Sequence, residues 1–546
     1  TYSSGDLTTT SQTLRLTHGV ATQIKIVDGS TRVLNGAEFG RSIATRIQDQ
    51  DGNTVTTGSD ATAIVTLTPS GATLTGTRSK RAGSGTASFT DLVMTGEAGS
   101  KSITASTATF TSAPYAVTLA AGAATKLVLT NPASGFVNRV PFSTQPTVTI
   151  QDSSGNVVAN HNQSITVTRT AVDPSKPATL TGDRTLPVVG GVITFTNLRL
   201  EGKVGQFDLT FESGSLISTT QRVTLTHGAA TAVVLTGATT ASNARDFDSA
   251  IVAQILDADQ NLVTTGSEAN QSIALTASGA VLTGTTTRLA GSGSATFDDL
   301  RLTGTAGSGK IIAATISSPA TITGTRSIDL SHGVASQIVL TTSASQAVSR
   351  QVMGVQPVLS VRDLSGNPVS DFVGRVSVEV SRAGASAFAL TGTKSVERTA
   401  QNSGPSFTFA GLGLYGPVGD YTLSFTAVDS ITGQSMSGAS QTVTLAHGVA
   451  TDLVITAPNS VRNAVALDDP ILVEIKDQDG NKVTSSSQEV TLEMNGVTIS
   501  ADTDRNAVNG LATFDPVAFI GTVGPKVLVA KVTGTALTED KNITLT

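Results

Sequence analysis

The sequence has no cysteine and no tryptophan, only four tyrosines and five histidines, and few charges (14% of 546 residues). A chain without cysteine folds without an oxidase and cannot be mispaired in transit. This suits a bacterial or archaeal surface protein better than a small disulfide scaffold, although a cytosolic chain is equally allowed. Glycans are usually read by exposed aromatic platforms, so the lack of tryptophan argues against a glycan-reading tip within these residues. The net charge of −6 is thinly spread, with no basic stripe, which excludes nucleic acid as the expected partner. No apolar run approaches the roughly 18 to 20 residues of a membrane-spanning helix. No secretory leader is legible at Thr1, so the sequence reads as a mature product or an excised segment.

Catalytic chemistry is equally thin. Four of the five histidines are locked into a repeat, leaving no independent Ser-His-Asp set, and no phosphate-cradling Gly-Lys-Ser/Thr loop occurs. No carboxylate pair stands out for glycoside hydrolysis. The chain is expected not to be an enzyme and to need no cofactor.

What the sequence has in abundance is Thr, Ser, Gly, Ala and Val, and repetition. Thr and Val favour half-buried pleated strands. Leu16-Thr17-His18-Gly19 returns as Leu225-Thr226-His227-Gly228, Leu330-Ser331-His332-Gly333 and Leu445-Ala446-His447-Gly448, with a degenerate copy at Leu119-Ala120-Ala121-Gly122. The glycines stand 103 to 115 residues apart, about the roughly 100 residues of one immunoglobulin-like sandwich. The expected units are 19–121, 122–227, 228–332, 333–447 and 448–546.

Within each unit the signals keep their order. A strand ends in a turn with Asp first and Asn fifth: Asp49 to Asn53, Asp152 to Asn156, Asp257 to Asn261, Asp363 to Asn367 and Asp477 to Asn481. Asp opens such turns, and Gly or Asn tolerates positive φ. Val55, Val158, Val263, Val369 and Val483 follow and are expected to restart the strand as a hairpin. Phe89, Phe195, Phe297 and Phe409 each precede a leucine by three residues, and Pro516 alters the copy at Phe514. A Gly-bounded turn comes next, as from Gly96 to Gly99. The pattern predicts an all-β chain of five tandem sandwiches, each of about seven strands, with almost no linker between them, in a rod about 200 Å long.

The Asp-x-x-Gly-Asn-x-Val and Gly-x-Ala-x-Phe-x-x-Leu elements (the latter at Gly85 to Leu92) resemble those of bacterial immunoglobulin-like domains, found in tandem in invasin- and intimin-type adhesins, giant biofilm adhesins and surface-layer proteins. The resemblance covers nearly the whole chain. It implies an extracellular, cell-surface role: a structural subunit of a surface layer, filament or stalk that associates with its own copies, or an adhesin shaft presenting a ligand-binding tip to the cell envelope or to a host or neighbouring cell.

Units one and three share Thr-Gly-Ser and Ala-Gly-Ser-Gly elements, whereas units two and four share a longer middle, giving an A-B-A-B order with unit five nearer A. Duplication of a two-domain ancestor explains this, as does a face presented at alternate units for a lattice or filament contact. Gln12 to His18 matches the last strand of other units, so residues 1–18 read as an orphan terminal strand of a preceding repeat, or as a strand added to a neighbouring subunit.

For metals, the repeated His18, His227, His332 and His447 lack partners at ligand spacing and read as junction packing or capping. The turns are not EF-hands, because glycine falls fourth and Gln488 stands where a bidentate Glu is needed. A looser calcium site at a junction would draw on Asp49, Asp51, Asp257, Asp259, Asp477 and Asp479, with a purely structural turn as the preferred alternative. Asn162, Asn270 and Asn542 fit the glycosylation acceptor pattern.

Overall fold

A computed structural model describes residues 5–6, 11–317, 320–384 and 387–546. The first repeat contains ten short strands: β1 (Gln23–Asp28), β2 (Arg32–Leu34), β3 (Ile43–Gln48), β4 (Ile64–Ser70), β5 (Thr73–Thr75), β6 (Ser79–Arg81), β7 (Thr86–Phe89), β8 (Val93–Thr95), β9 (Gly99–Ser106) and β10 (Tyr115–Ala120). One sheet runs β1-β3-β7 and the facing sheet β2-β10-β9-β4-β6, while β5 and β8 pair along the flank. Only β2 pairs in parallel, along β10; the other pairs are antiparallel. Alternate residues of each strand face inward, as the period of two requires. In β10, Val117 and Leu119 are buried while Ala116 and Thr118 are exposed.

The architecture is that of tandem immunoglobulin-like β-sandwiches. Buried apolar residues fall into five clusters, drawn from residues 24–119, 127–225, 233–330, 335–445 and 453–545 respectively. The Phe-x-x-Leu element lies at the centre of each of the first four: Phe89, Phe195, Phe297 and Phe409 and the leucines that follow are almost fully buried. In the fifth, Phe514 is buried, and Val517 and Phe519 fill the space beyond Pro516. Each buried phenylalanine removes enough apolar surface from water to contribute about 2 to 3 kcal/mol.

The alternation seen in sequence is also structural. Repeats one, three and five have a five-stranded sheet, whereas repeats two and four have a four-stranded one. In the even repeats the parallel edge strand shrinks to single bridges, Val137 to Thr226 and Val348 to Ala446. A glutamine replaces the lost pairing. Gln221 accepts from the Ala133 N–H at 2.9 Å and donates to its carbonyl at 2.8 Å, and Gln441 does the same for Ala344 at 2.7 and 2.9 Å. A primary amide has the donor and acceptor that a strand neighbour would have offered.

One expectation narrows. The Asp-first turn opens a hairpin only one bridge long. After Asn53 one bridge forms, Thr54 to Gln48, and the chain then crosses from the β3 sheet to the β4 sheet. Val55 is buried, and its N–H donates to the Ile47 carbonyl at 2.9 Å to close that bridge. Residues 11–22 pair with no strand among the described residues; Leu14 and Leu16 are 81% and 93% exposed, and residues 1–4 and 7–10 lie outside the described residues. Each of the five main sheets already contains its own last strand, so no edge is left for this segment to complete.

Candidate functional site: the junctions between repeats

The Asp-first turn sits at one end of each sandwich. The loop after β2 and the Gly96–Gly99 turn between β8 and β9 sit at the other. Stacking brings these two ends together, and the aspartate becomes the centre of the contact. At the first junction, Asp152 accepts from the Gly122 N–H (2.9 Å), the Ser154 and Asn156 N–H groups (both 2.9 Å) and the Asn156 side-chain amide (2.9 Å). A further donor comes from the other sandwich, the Asn35 amide at 2.9 Å. Asn35 is itself aimed by the Gly96 N–H, which donates to its Oδ1 at 2.9 Å. Asn156 reaches back, donating to the Gly96 carbonyl (2.9 Å) and accepting from the Ala98 N–H (2.7 Å).

The same set recurs with Asn138 on Asp257 and Asn243 on Asp363, both at 2.8 Å. Asn261, Asn367 and Asn481 donate to Gly202, Gly304 and Gly416, each at 2.9 Å. At the fourth junction Ser349 stands where the asparagines stand and bonds Asp479 instead. Asp152, Asp257, Asp363 and Asp477 are at most 2% exposed. Burial disfavours their ionised form, but the convergent N–H donors outweigh it and hold each carboxyl below its ordinary value.

Because these groups are depressed in the fold, the stability they contribute is complete above about pH 4, the ordinary carboxylate value, and is lost as pH falls through the lowered values. Thermal unfolding followed by calorimetry is expected to be flat from about pH 8 to 5 and to weaken only below about pH 4.

The junctions alternate in a second respect. Where the upper sandwich is an even repeat, an arginine follows the Asn or Ser. Arg139 bonds Asp259 with Nε at 2.7 Å and a terminal nitrogen at 2.9 Å, and Arg350 grips Asp479 while lying 4.9 Å from the Tyr415 ring centroid. Where the upper sandwich is an odd repeat, the partners are the serines Ser154 and Ser365, which bond Asn35 and Asn243. Replacing Arg139 with alanine is expected to lower unfolding temperature slightly, and more at low salt than at high, since the pair is partly exposed. Asn35→Ala, at a junction without an ion pair, is expected to show no such salt dependence.

The histidines brace the turn from the side. Thr57, Thr265 and Ser485 N–H groups donate to Nε2 of His18, His227 and His447 at 3.3, 3.2 and 3.3 Å. Each ring is therefore protonated at Nδ1, which donates to the carbonyl of the following glycine at 2.9 to 3.0 Å. Among the described residues, no group of three or more His, Cys, Asp or Glu is placed to hold a metal ion. Of the six calcium candidates, Asp257, Asp259, Asp477 and Asp479 lie within junctions and bond protein donors. Asp49 accepts from Gly19 and Asn53, and Asp51 is exposed beside it. Sequence reasoning missed Asn35, Asn138, Asn243, Ser349, Arg139 and Arg350, and also Asp152 and Asp363. The signal was an asparagine or serine recurring at the repeat spacing.

No family model matches the chain, and no curated protein does. Among solved structures it is similar to FdeC, an Escherichia coli adhesin (14% identity over 58% of this chain and 96% of that one, TM-score 0.27). It is also similar to domains 4–9 of the surface layer protein SbsC (16% identity, 96% and 83% covered, TM-score 0.22) and to the D00-D0 domain of intimin (16% identity, 38% and 99% covered, TM-score 0.24). The chain's own sheets and cores make it an all-β protein of tandem immunoglobulin-like sandwiches. No helix in the described residues is long and apolar enough to cross a membrane.

Proposed function

We propose that the chain is a non-enzymatic, extracellular structural protein, in which five sandwiches, bounded as 19–121, 122–227, 228–332, 333–447 and 448–546, stack as a stiff shaft within a surface layer, filament or stalk. One observation carries this reading: an aspartate of the same turn takes a donor from the neighbouring sandwich at all four successive junctions, the buried first aspartate at three of them and Asp479 at the fourth, each time between ends that otherwise expose only turns. A tether would leave those groups to water, whereas a shaft that must hold its length has reason to bury and pair them. The carboxylates take N–H, amide and guanidinium donors where a calcium ion would need their lone pairs free. We therefore propose shaft stiffness that does not depend on calcium. Self-association with other copies, at a cell surface, follows from the structural role.

The test is rotary-shadowing or cryo-electron microscopy of the purified chain, with and without a chelator. Straight particles of about 200 Å, unchanged by chelation, are expected. Particles that bend freely at the junctions, or that do so once calcium is removed, would overturn the reading.

A further inference from the structure

The exposed end of the first repeat has every feature of an occupied junction except the occupant. Gly19 N–H donates to Asp49 at 2.7 Å, as Gly122 does to Asp152, but Asp49 receives no amide from another sandwich. Asn53 is exposed, whereas its counterparts Asn156, Asn261, Asn367 and Asn481 are buried against the sandwich above. Gly19 itself has no local reason to be glycine. A Cβ there would meet nothing closer than Asp49 at 3.5 Å, whereas a Cβ on Gly122, Gly228, Gly333 or Gly448 would come within 2.0 to 2.9 Å of a carbonyl of the stacked repeat.

Two further residues say which kind of sandwich belongs there. At the third position of the turn Asp51 is an aspartate, like Asp259 and Asp479, the two carboxylates that take an arginine from an even repeat, whereas the turns that face odd repeats have Ser154 and Ser365 there. Gln12 occupies the position of Gln221 and Gln441, the amides that clamp the edge of the two even repeats; odd repeats have Tyr115, Arg326 and Lys541 there. Leu14 and Leu16, almost fully exposed, align with Val223 and Leu225, and with Val443 and Leu445, all at most 4% exposed.

We infer that Gly19, Asp49, Asp51 and Asn53 form a docking face for an even-type sandwich, one presenting Asn or Ser followed by Arg, and that residues 12–16 are the last strand of that same sandwich. The backbone link His18-Gly19 makes the two halves one site. The strand completes the body, and the body then sets its amide on Asp49 and its guanidinium on Asp51. This goes beyond the structural role and does not depend on it.

The experiment extends the full chain. Residues 122–220, the body of the second repeat without the end of its last strand, are placed directly before Gln12 in place of residues 1–11. The Leu14 and Leu16 amides are expected to exchange with deuterium at least about 100-fold more slowly than in the unextended chain. Asp51→Ala in the extended chain is expected to speed exchange at Gly19 and Asn53, and to leave the unextended chain unchanged. A graft of residues 19–114, an odd-type body with Gly36 where Arg139 stands, is expected to protect Leu14 and Leu16 but to show no response to Asp51→Ala. Unchanged exchange at Leu14 and Leu16 overturns the strand assignment, and an equal response to Asp51→Ala in both grafts overturns the preference for an even body. Asn463 stands in the fifth repeat where Asn35 stands in the first, its Oδ1 accepting from the Gly521 N–H at 3.0 Å; if the unextended chain forms end-to-end oligomers that Asn463→Ala abolishes, the face takes the odd-type end of a second copy, and the inference falls.

Discussion

Replacing Asp363 with alanine is expected to cost about 3 to 5 kcal/mol at the junction between the third and fourth repeats, and to turn that junction into a hinge. Its carboxylate accepts from the N–H groups of Gly333 (2.7 Å), Ser365 (2.9 Å) and Asn367 (2.9 Å), and from the side-chain amides of Asn243 and Asn367. Asn243 keeps Ser365 and Asn367 keeps Gly304, so the side-chain donors retain a partner each. The three backbone donors do not, and water reaches them only if the stacked ends part. The cost therefore falls on the stacking, and the cores on either side should survive. Hydrogen exchange is the suitable probe, since a chain with several cores has no single unfolding free energy. Faster exchange at Gly333, Ser365 and Asn367 with unchanged protection at Phe407 and Phe297 is the expected pattern. A uniform loss across both repeats would mean that the aspartate supports the fold of the turn and not the junction. Asp363→Asn, which keeps one acceptor but sets an NH2 among donors, should fall between the variant and the parent.

That residue also marks how far the sequence could be read. The repeat, the Phe-x-x-Leu core and the A-B alternation were legible because each is local or recurs at fixed spacing. The aspartates drew attention for the wrong chemistry. Asp257 with Asp259, and Asp477 with Asp479, look like paired cation ligands along the chain, while Asp152 and Asp363 have serine at the third position and were passed over. The four junction aspartates share one position in the fold. What gives three of them their role is a donor from the neighbouring sandwich, 117 residues away for Asn35 and Asp152 and 120 for Asn243 and Asp363, while at the fourth junction Asp479 takes that donor. Local spacing has no access to that contact, and Ser349 in the fourth copy hides the pattern further. The length of the hairpin was hidden for a related reason: a tight turn and a following valine look the same whether the chain pairs on within one sheet or, after a single bridge, crosses to the other.

Replacing Gly122 with alanine is expected to cost about 2 to 3 kcal/mol at the first junction, whereas Gly19→Ala should change stability by less than about 0.5 kcal/mol in the unextended chain. Both glycines occupy the same place in the repeat, and neither has the positive φ that would require glycine for backbone reasons. The difference lies in what faces them. A Cβ on Gly122 would lie 2.0 Å from the Asn35 carbonyl oxygen and 3.0 Å from its carbon, and backbone atoms cannot turn aside as a flexible side chain does. Relief requires the two sandwiches to separate, which lengthens the Asn35 to Asp152 bond and exposes both ends of it. The glycine at each of the four junctions thus serves the neighbour, by letting a foreign backbone approach, more than it serves its own turn. Protection of the Gly96, Ala98 and Asn156 amides measures the effect directly, because all three sit in the contact and none is adjacent to the substitution in sequence. Loss of protection there in Gly122→Ala, with no change at the corresponding Asn53 amide in Gly19→Ala, is the expected pair of results. If both variants behaved alike, the glycine would be a requirement of the turn itself, and close approach between repeats would no longer explain it.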